Sequence, residues 1–345
     1  MPDVLDVFAA DSAFSMAGLT KTINKFDYVP NQLSRYNLFE EEGIAETVAW
    51  IEEDANTLTL VKVAERGAPG DTFSSDKRKM RPFKIPHMPL QGSVQADEVQ
   101  NLRAYAINQT PQAVLASVQS VVNRKLLKAR QRFEATLEYH KLGAVKGQIL
   151  DADGVTVIYD LFTEFGVTQQ TQAMALTTGT TNVDVKTREA IRLAQNALGA
   201  DPVQGWIAMC GDSFFDTFIS HANVKQYYLQ WQAAASLSGT NLAYRSFPVF
   251  GVNWENYRGS VGGVNYIGTD EAYLIPVGTP GLFIGRFAPS TWIDRVNQMP
   301  EFPEGFPIEV RQEMMPRGQG IALDLQSNPL YLCTKPRAIV KLTKV

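Results

Sequence analysis

QAVLASVQSVVNRKLLKARQRFEATLEYHKLGAVKGQILDADGVTVIYDLFTEFG, Gln112 to Gly166, carries the most regular pattern in the chain. Leu115, Val118, Val122, Leu126, Ala129, Phe133 and Leu137 recur at spacings of three and four, which makes one apolar helical stripe, while Arg124, Lys128 and Arg132 face away from it. At 1.5 Å per residue a helix over 112–146 is about 50 Å long, more than a compact domain needs, so it reads as a strut. A coiled coil would prolong the stripe. Here it stops, and Asp153-Gly154 follows as a tight turn between two apolar runs, a β-hairpin for the strut to pack against. An EF-hand calcium loop starting at Asp151 fails: its fifth, sixth and twelfth positions are Val155, Thr156 and Phe162, where an oxygen ligand, a glycine and a bidentate glutamate are needed.

Outward from this segment the character changes twice. Before it, ETVAWIEEDANTLTLVKVAERGAPGDT alternates apolar and polar residues, and KMRPFKIPHMPL returns less cleanly, so 46–90 reads as a long two-stranded excursion. Lys77, Arg78, Lys79 and Arg81 make its far part basic, while Glu40 to Asp54 is acidic. Two strands have no second layer to bury against, so the ribbon needs a partner surface, and its length points to a subunit contact. The first forty-odd residues have no clear period and read as an arm lying on a neighbour; Asp97 starts a short helix that Pro111 ends. After Gly179, amphipathic helices alternate with apolar strands, a compact α/β or α+β domain, and the end of the chain is strand-rich, with a pair around Arg317-Gly318 returning to the hairpin sheet.

Composition bounds the chemistry. The chain has 345 residues, 45% of them hydrophobic and 20% charged, enough for a large core in two or three substructures. A net charge of −4 argues against a dedicated nucleic-acid binder, though not against a protein that surrounds nucleic acid. No secretory signal and no long apolar run is present, so no membrane partner is expected. Cys210 and Cys333 end apolar runs and read as buried small hydrophobes. His87, His140 and His221 are scattered, so no metal or cofactor is expected, and His140 reads as a satisfied core histidine. Trp206, Phe214, Phe215, Tyr227, Tyr228 and Trp231 read as core, and GSVGG at 259–263 as a turn. A cytosolic serine hydrolase would use Ser213 in Gly211-Asp212-Ser213 with His221, but residues eight apart on one helix stand about 12 Å apart, beyond a base's reach. Asp212 or Ser213 as a helix N-cap explains the same letters.

The order arm, ribbon, strut and compact domain, with ADEVQNLRAY, LEYHKLGAVKGQILDADG, GWIAMCGDSFFDTFISH, VFGVNWENYRG, FAPSTWIDRVN and LQSNPLYLCTKP, resembles the major capsid protein family of lambda-like tailed bacteriophages and prophages, the major capsid protein E family, from about Phe39 onward. The resemblance implies the α+β Hong Kong 97 capsid fold, with an N-terminal arm (1–45) and an E-loop (46–90). A P-domain (91–181) would hold the spine helix at about 112–146 and the DADG hairpin in its sheet. An A-domain (182–306), P-domain return strands (307–326) and a C-terminal A-domain strand (327–345) would follow. It implies no enzymatic activity. It implies self-assembly into hexamers and pentamers of an icosahedral head around double-stranded DNA bound without sequence specificity, made in the host cytoplasm and ending in the virion capsid. A scaffolding protein, a portal and a decoration protein are the implied partners. The basic tip Lys77, Arg78, Lys79 and Arg81 would dock on a neighbour's acidic surface, with Glu41, Glu42, Glu52 and Glu53 as acidic contributors. An encapsulin-like shell, loaded with cargo instead of DNA, would share the fold.

Overall fold

The computed structural model describes residues 32–53, 79–95, 97–98, 111–237, 246–261, 264–296, 299, 308–316 and 319–345. Its longest element is the strut, a helix of 36 residues from Pro111 to Lys146. Pro111 opens this helix, as suits a residue whose missing N–H would have no intrahelical partner. The expected short helix at Asp97 is helical at 97–98, and 99–110 lie outside the described residues. Val122, Leu126, Ala129, Phe133 and Leu137 are buried as the stripe requires, each large side chain contributing about 1.5–3 kcal/mol. The side chains of Leu115 and Val118 lie outside the described residues. Gly147 ends the helix with φ +84°, where a Cβ would meet the Phe162 ring at 2.3 Å.

The hairpin follows, Gln148–Leu150 against Val157–Asp160. Its tip is an Asx-type turn: one Asp153 carboxylate oxygen accepts from the N–H groups of Val155 and Thr156, both at 2.9 Å. The hairpin is a two-stranded sheet by itself. The strand pair flanking 317–318, Glu309–Met314 and Gly320–Ser327, does not return to it. It joins Met88–Gln95 in a three-stranded sheet instead. The reason is length: every residue of Gly320–Ser327 finds a register partner in Met88–Gln95, whereas a hairpin strand of three residues could pair with only part of it.

The compact domain is built on a six-stranded sheet in the order Gln170–Ala173, Val340–Thr343, Glu271–Val277, Gly205–Cys210, Val252–Asn256, Phe247–Val249. The first pair and the Gly205–Cys210 with Val252–Asn256 pair are parallel; the others are antiparallel. Its edge strand Gln170–Ala173 precedes the boundary near Asn182 that the sequence suggested for this domain. Helices Val183–Leu198, Asp212–Ser220 and Ala222–Leu237 complete it. Trp254 is fully buried, its ring 4.1 Å from that of Phe218 and 6.3 Å from that of Phe214. Cys210 and Cys333 are free and fully buried. Tyr227 departs from the expected core set, being 53% exposed with its ring edge-on to Phe250. The cap of helix Asp212–Ser220 is Gly211 rather than Asp212 or Ser213. A Cβ at Gly211 would stand 2.1 Å from the Gly268 carbonyl oxygen, so only glycine fits that close approach.

A further three-stranded sheet holds Glu40–Gly43, Phe283–Phe287 and Pro329–Cys333. Glu40–Gly43 runs parallel to Phe283–Phe287, so 40–43 is a strand of the body and not part of an arm reaching elsewhere. Residues 1–31, the bulk of the expected arm, lie outside the described residues. No described helix is long and apolar enough to cross a membrane.

Candidate assembly surface

The described base of the ribbon pairs Val48–Glu53 with Lys79–Lys84. Residues directly opposite one another in an antiparallel pair share a face. Ala49 with Phe83 and Ile51 with Arg81 therefore form one face, Trp50 with Pro82 and Met80 the other. Ala49, Ile51 and Phe83 are buried, whereas Trp50 and Met80 are 55% and 57% exposed. The inner face rests on the chain's own hairpin and the short helix behind it. Phe83 meets the Tyr159 ring edge-on at 5.5 Å and lies 6.0 Å from Phe165. The Tyr159 hydroxyl donates to the Lys84 carbonyl at 2.7 Å. The Arg81 guanidinium sits 5.5 Å from the centre of the Phe165 ring and donates to the Glu164 carbonyl. The partner surface that a thin ribbon requires is thus supplied, for its base, within the protomer; the outer face stays open.

Among the residues singled out for a subunit contact, Lys77 and Arg78 lie outside the described residues. The backbones of Glu52 and Glu53 stand across from Met80 and Lys79, so the acidic and basic limbs face each other in one ribbon. Arg81 is held by its own chain as described. Glu41 forms an ion pair with Lys141 at 2.7 Å and accepts from the Tyr331 hydroxyl at 3.3 Å. Glu42 is mostly exposed, 3.4 Å from Arg286. A cleft of about 460 Å³ beside the ribbon brings together the apolar Ile44, Trp50 and Ile284 with Glu42, Glu46 and the Arg286 that faces Glu42.

Sequence reasoning missed a polar clamp at the start of the described chain. Glu138, on the strut, accepts from the Leu33 N–H at 3.0 Å, the Ser34 hydroxyl at 3.1 Å and the Tyr257 hydroxyl at 3.1 Å. Glu255, on the six-stranded sheet, accepts from the Tyr36 hydroxyl at 2.6 Å, from Gln32 Nε2 at 3.2 Å and from the Arg35 guanidinium. Both carboxylates are buried. Burial raises the Glu138 pKa against the pull of its donors, and burial followed by the Glu255 carboxylate raises that of the Tyr36 hydroxyl. The only signal in the sequence is an acid inside an apolar strand, VNWENY, and one beside the strut's stripe, LEYH.

His140 is buried, but its Nε2 has no hydrogen-bond partner, so it is not the satisfied histidine expected. Burial pushes its pKa down to about 4 from an ordinary 6.5. The folded chain therefore takes up this proton later than the unfolded chain. The stability so gained is intact above about pH 6.5 and is lost as pH falls toward about 4, in all about 3 kcal/mol. His140→Leu should flatten the acid side of the melting-temperature profile, and a profile that stays equally steep would remove histidine as its cause.

The serine motif forms no hydrolytic relay. His221 Nδ1 accepts from the Asn223 N–H at 3.3 Å and Nε2 meets the Thr178 carbonyl at 3.1 Å, so both ring nitrogens serve backbone groups. The Ser213 hydroxyl donates to Asp270 at 2.7 Å and accepts from Lys344 Nζ at 2.9 Å, a surface tie between helix, loop and chain end.

A family model described as phage major capsid protein E matches residues 15–344. The major capsid protein of Pseudomonas phage KPP10 is 26% identical over 347 residues, covering 95% of this chain and 96% of that one. That of Salmonella phage Felix O1 is 23% identical over 359 residues, with 95% and 96% covered. Among solved structures, the capsid of an empty GTA particle superposes with a TM-score of 0.50 at 11% identity, covering 92% of each chain.

Proposed function

This chain belongs to the phage major capsid protein E family, a family of structural proteins and not of enzymes, and from that premise we propose that it self-assembles into hexamers and pentamers of an icosahedral head enclosing double-stranded DNA. The observation that carries the mechanism is the one-sided ribbon. Its inner face is satisfied at home, and its outer face, with Trp50 and Met80, is apolar surface awaiting a neighbour. Lys77, Arg78 and Lys79 dock on the acidic cleft of the next subunit, where Glu42 and Glu46 stand. Glu41 and Glu42 already face Lys141 and Arg286 of their own chain, so the arriving cations compete for them. Each contact is weak, and a subunit held by several neighbours gains avidity without a strong bond at any of them. The arm before Gln32, the ribbon, the strut with its flanking sheet, and the six-stranded domain act as arm, E-loop, P-domain and A-domain. Assembly takes place in the host cytoplasm on a scaffolding protein around a portal.

Negative-stain microscopy of the purified protein tests the reading: closed shells or capsomers are expected. Lys77→Glu with Arg78→Glu and Lys79→Glu should leave the fold intact and block particle formation. Normal shells from that variant would remove the docking of the tip.

A further inference from the structure

The strut carries two kinds of cation. Lys125, Arg130 and Lys141 are each held by a carboxylate, Glu98 at 2.5 Å, Glu134 at 2.8 Å and Glu41 at 2.7 Å. Arg124, Lys128 and Arg132 are exposed, and none of them has an ion-pair partner among the described residues. They stand at i, i+4 and i+8 on one helix face, a straight line about 12 Å long. Beside the line runs a groove of about 590 Å³ to which the strut contributes Lys128, Gln131, Arg132, Thr136 and Tyr139, with Tyr266 across it; none of its described lining residues is acidic. Asp151 and Asp153, at the hairpin tip, act on Tyr139 and place negative charge near that end, and at the other end Glu98 is engaged by Lys125.

Like charges about 6 Å apart on a rigid rod repel one another. The chain has 36 acidic residues against 32 basic ones, and it pairs Lys125, Arg130 and Lys141 of the strut with carboxylates and gives Lys146 the Tyr266 carbonyl. Leaving three in a row bare is the arrangement that an external polyanion would complete. The flanking Gln131 amide and Tyr139 hydroxyl are donors of the kind that serve phosphate oxygens without reading sequence, while the Thr136 hydroxyl donates to the Arg132 carbonyl.

We propose that Arg124, Lys128 and Arg132 contact the phosphate backbone of duplex DNA, and that this face of the strut is turned to the inside of the shell. The inference rests on the reading that the chain builds a shell around DNA, and it adds which surface meets the cargo. Three phosphates per protomer give weak binding, yet repeated over a shell they line the wall with a contact that salt can loosen.

The test is binding of the unassembled subunit to a generic DNA duplex by fluorescence anisotropy across a salt series. A logarithmic salt slope of about −2 to −3 is expected, at roughly −0.9 per phosphate, and Arg124→Gln with Lys128→Gln and Arg132→Gln should abolish it. Arg124→Lys with Lys128→Arg and Arg132→Lys keeps the charge and should keep the slope. Loss of binding in the neutral variant supports the proposal whether or not that variant forms shells, provided its melting temperature is unchanged; should it unfold, Lys128→Gln alone must lower the slope by about 1. An unchanged slope overturns the proposal, as does a wild-type subunit that binds no DNA. Unchanged DNA binding together with lost shells would make the line a docking site for an acidic protein. In either of those failures, wild-type shells in the microscope leave the assembly reading standing.

Discussion

Phe83→Ala is expected to abolish shell formation while leaving the six-stranded domain folded. Phe83 is 1% exposed and joins the ribbon to Tyr159 and Phe165. Truncating a buried phenylalanine costs about 3–5 kcal/mol, and here the cost falls on the docking of the ribbon's base rather than on the main core. What then remains to hold it is the Tyr159 hydroxyl bond, the Arg81 contacts, and Ala49 and Ile51, too little to keep a two-stranded element in one pose. A ribbon without a fixed base presents Trp50, Met80 and its tip in no defined direction, and a neighbour must then supply the ordering cost as well as the contact. Hydrogen exchange should show amides of Val48–Glu53 and Lys79–Lys84 losing protection while those of Gly205–Cys210 keep it. Microscopy should show unassembled subunits. Phe83→Leu, which keeps most of the volume, should retain shells. Ordinary shells and unchanged ribbon protection in Phe83→Ala would mean that the base is held by something other than this side chain.

The parts of this architecture that were legible in the sequence are those whose cause is local. The strut shows itself because its stripe repeats within one turn, and the hairpin tip because Asp153 binds the N–H groups two and three residues on. Sheet membership is not local. Glu40–Gly43, three acids and a glycine, has nothing of a strand in its composition. It is one because Phe283–Phe287 offers a parallel edge and because Lys141 and Arg286 stand ready for Glu41 and Glu42. Gly211 gave no signal as a cap, since what demands glycine there is a carbonyl at Gly268, far along the chain. Glu138 and Glu255 are hard to read from the sequence for the same reason: their donors lie 105 and 219 positions away at Leu33 and Tyr36. The ribbon's length marks it as a contact element, but length does not say that one of its faces is already occupied.

The two carboxylates of the clamp should respond in opposite ways to loss of charge. Glu255→Ala removes the acceptor for Tyr36, Gln32 and Arg35 together. Hydrogen bonds to a charged group contribute about 1.5–3 kcal/mol each when measured singly, but they do not add, and Arg35 is 45% exposed and can rehydrate, so a loss of about 2–4 kcal/mol is expected. Glu138 is different because its charge is costly. Burial raises its pKa above the unfolded value, so its protonated form is the better folded species. The stability this lends is fully present below the unfolded pKa and is lost as pH rises through the folded one. Glu138→Gln keeps the shape and can keep the bonds: one oxygen already receives both the Leu33 N–H and the Tyr257 hydroxyl, and the new amide can donate to Ser34. At neutral pH that variant should therefore be as stable as the parent or more so, and the advantage should vanish on acidification, while Glu138→Ala, which strands the Leu33 N–H, should lose about 1–3 kcal/mol at any pH. Denaturant titrations at pH 7 and pH 4.5 separate these outcomes. A Glu138→Gln protein weakened as much as Glu138→Ala would mean that the ionised carboxylate itself, and not its geometry, ties the start of the described chain to the strut.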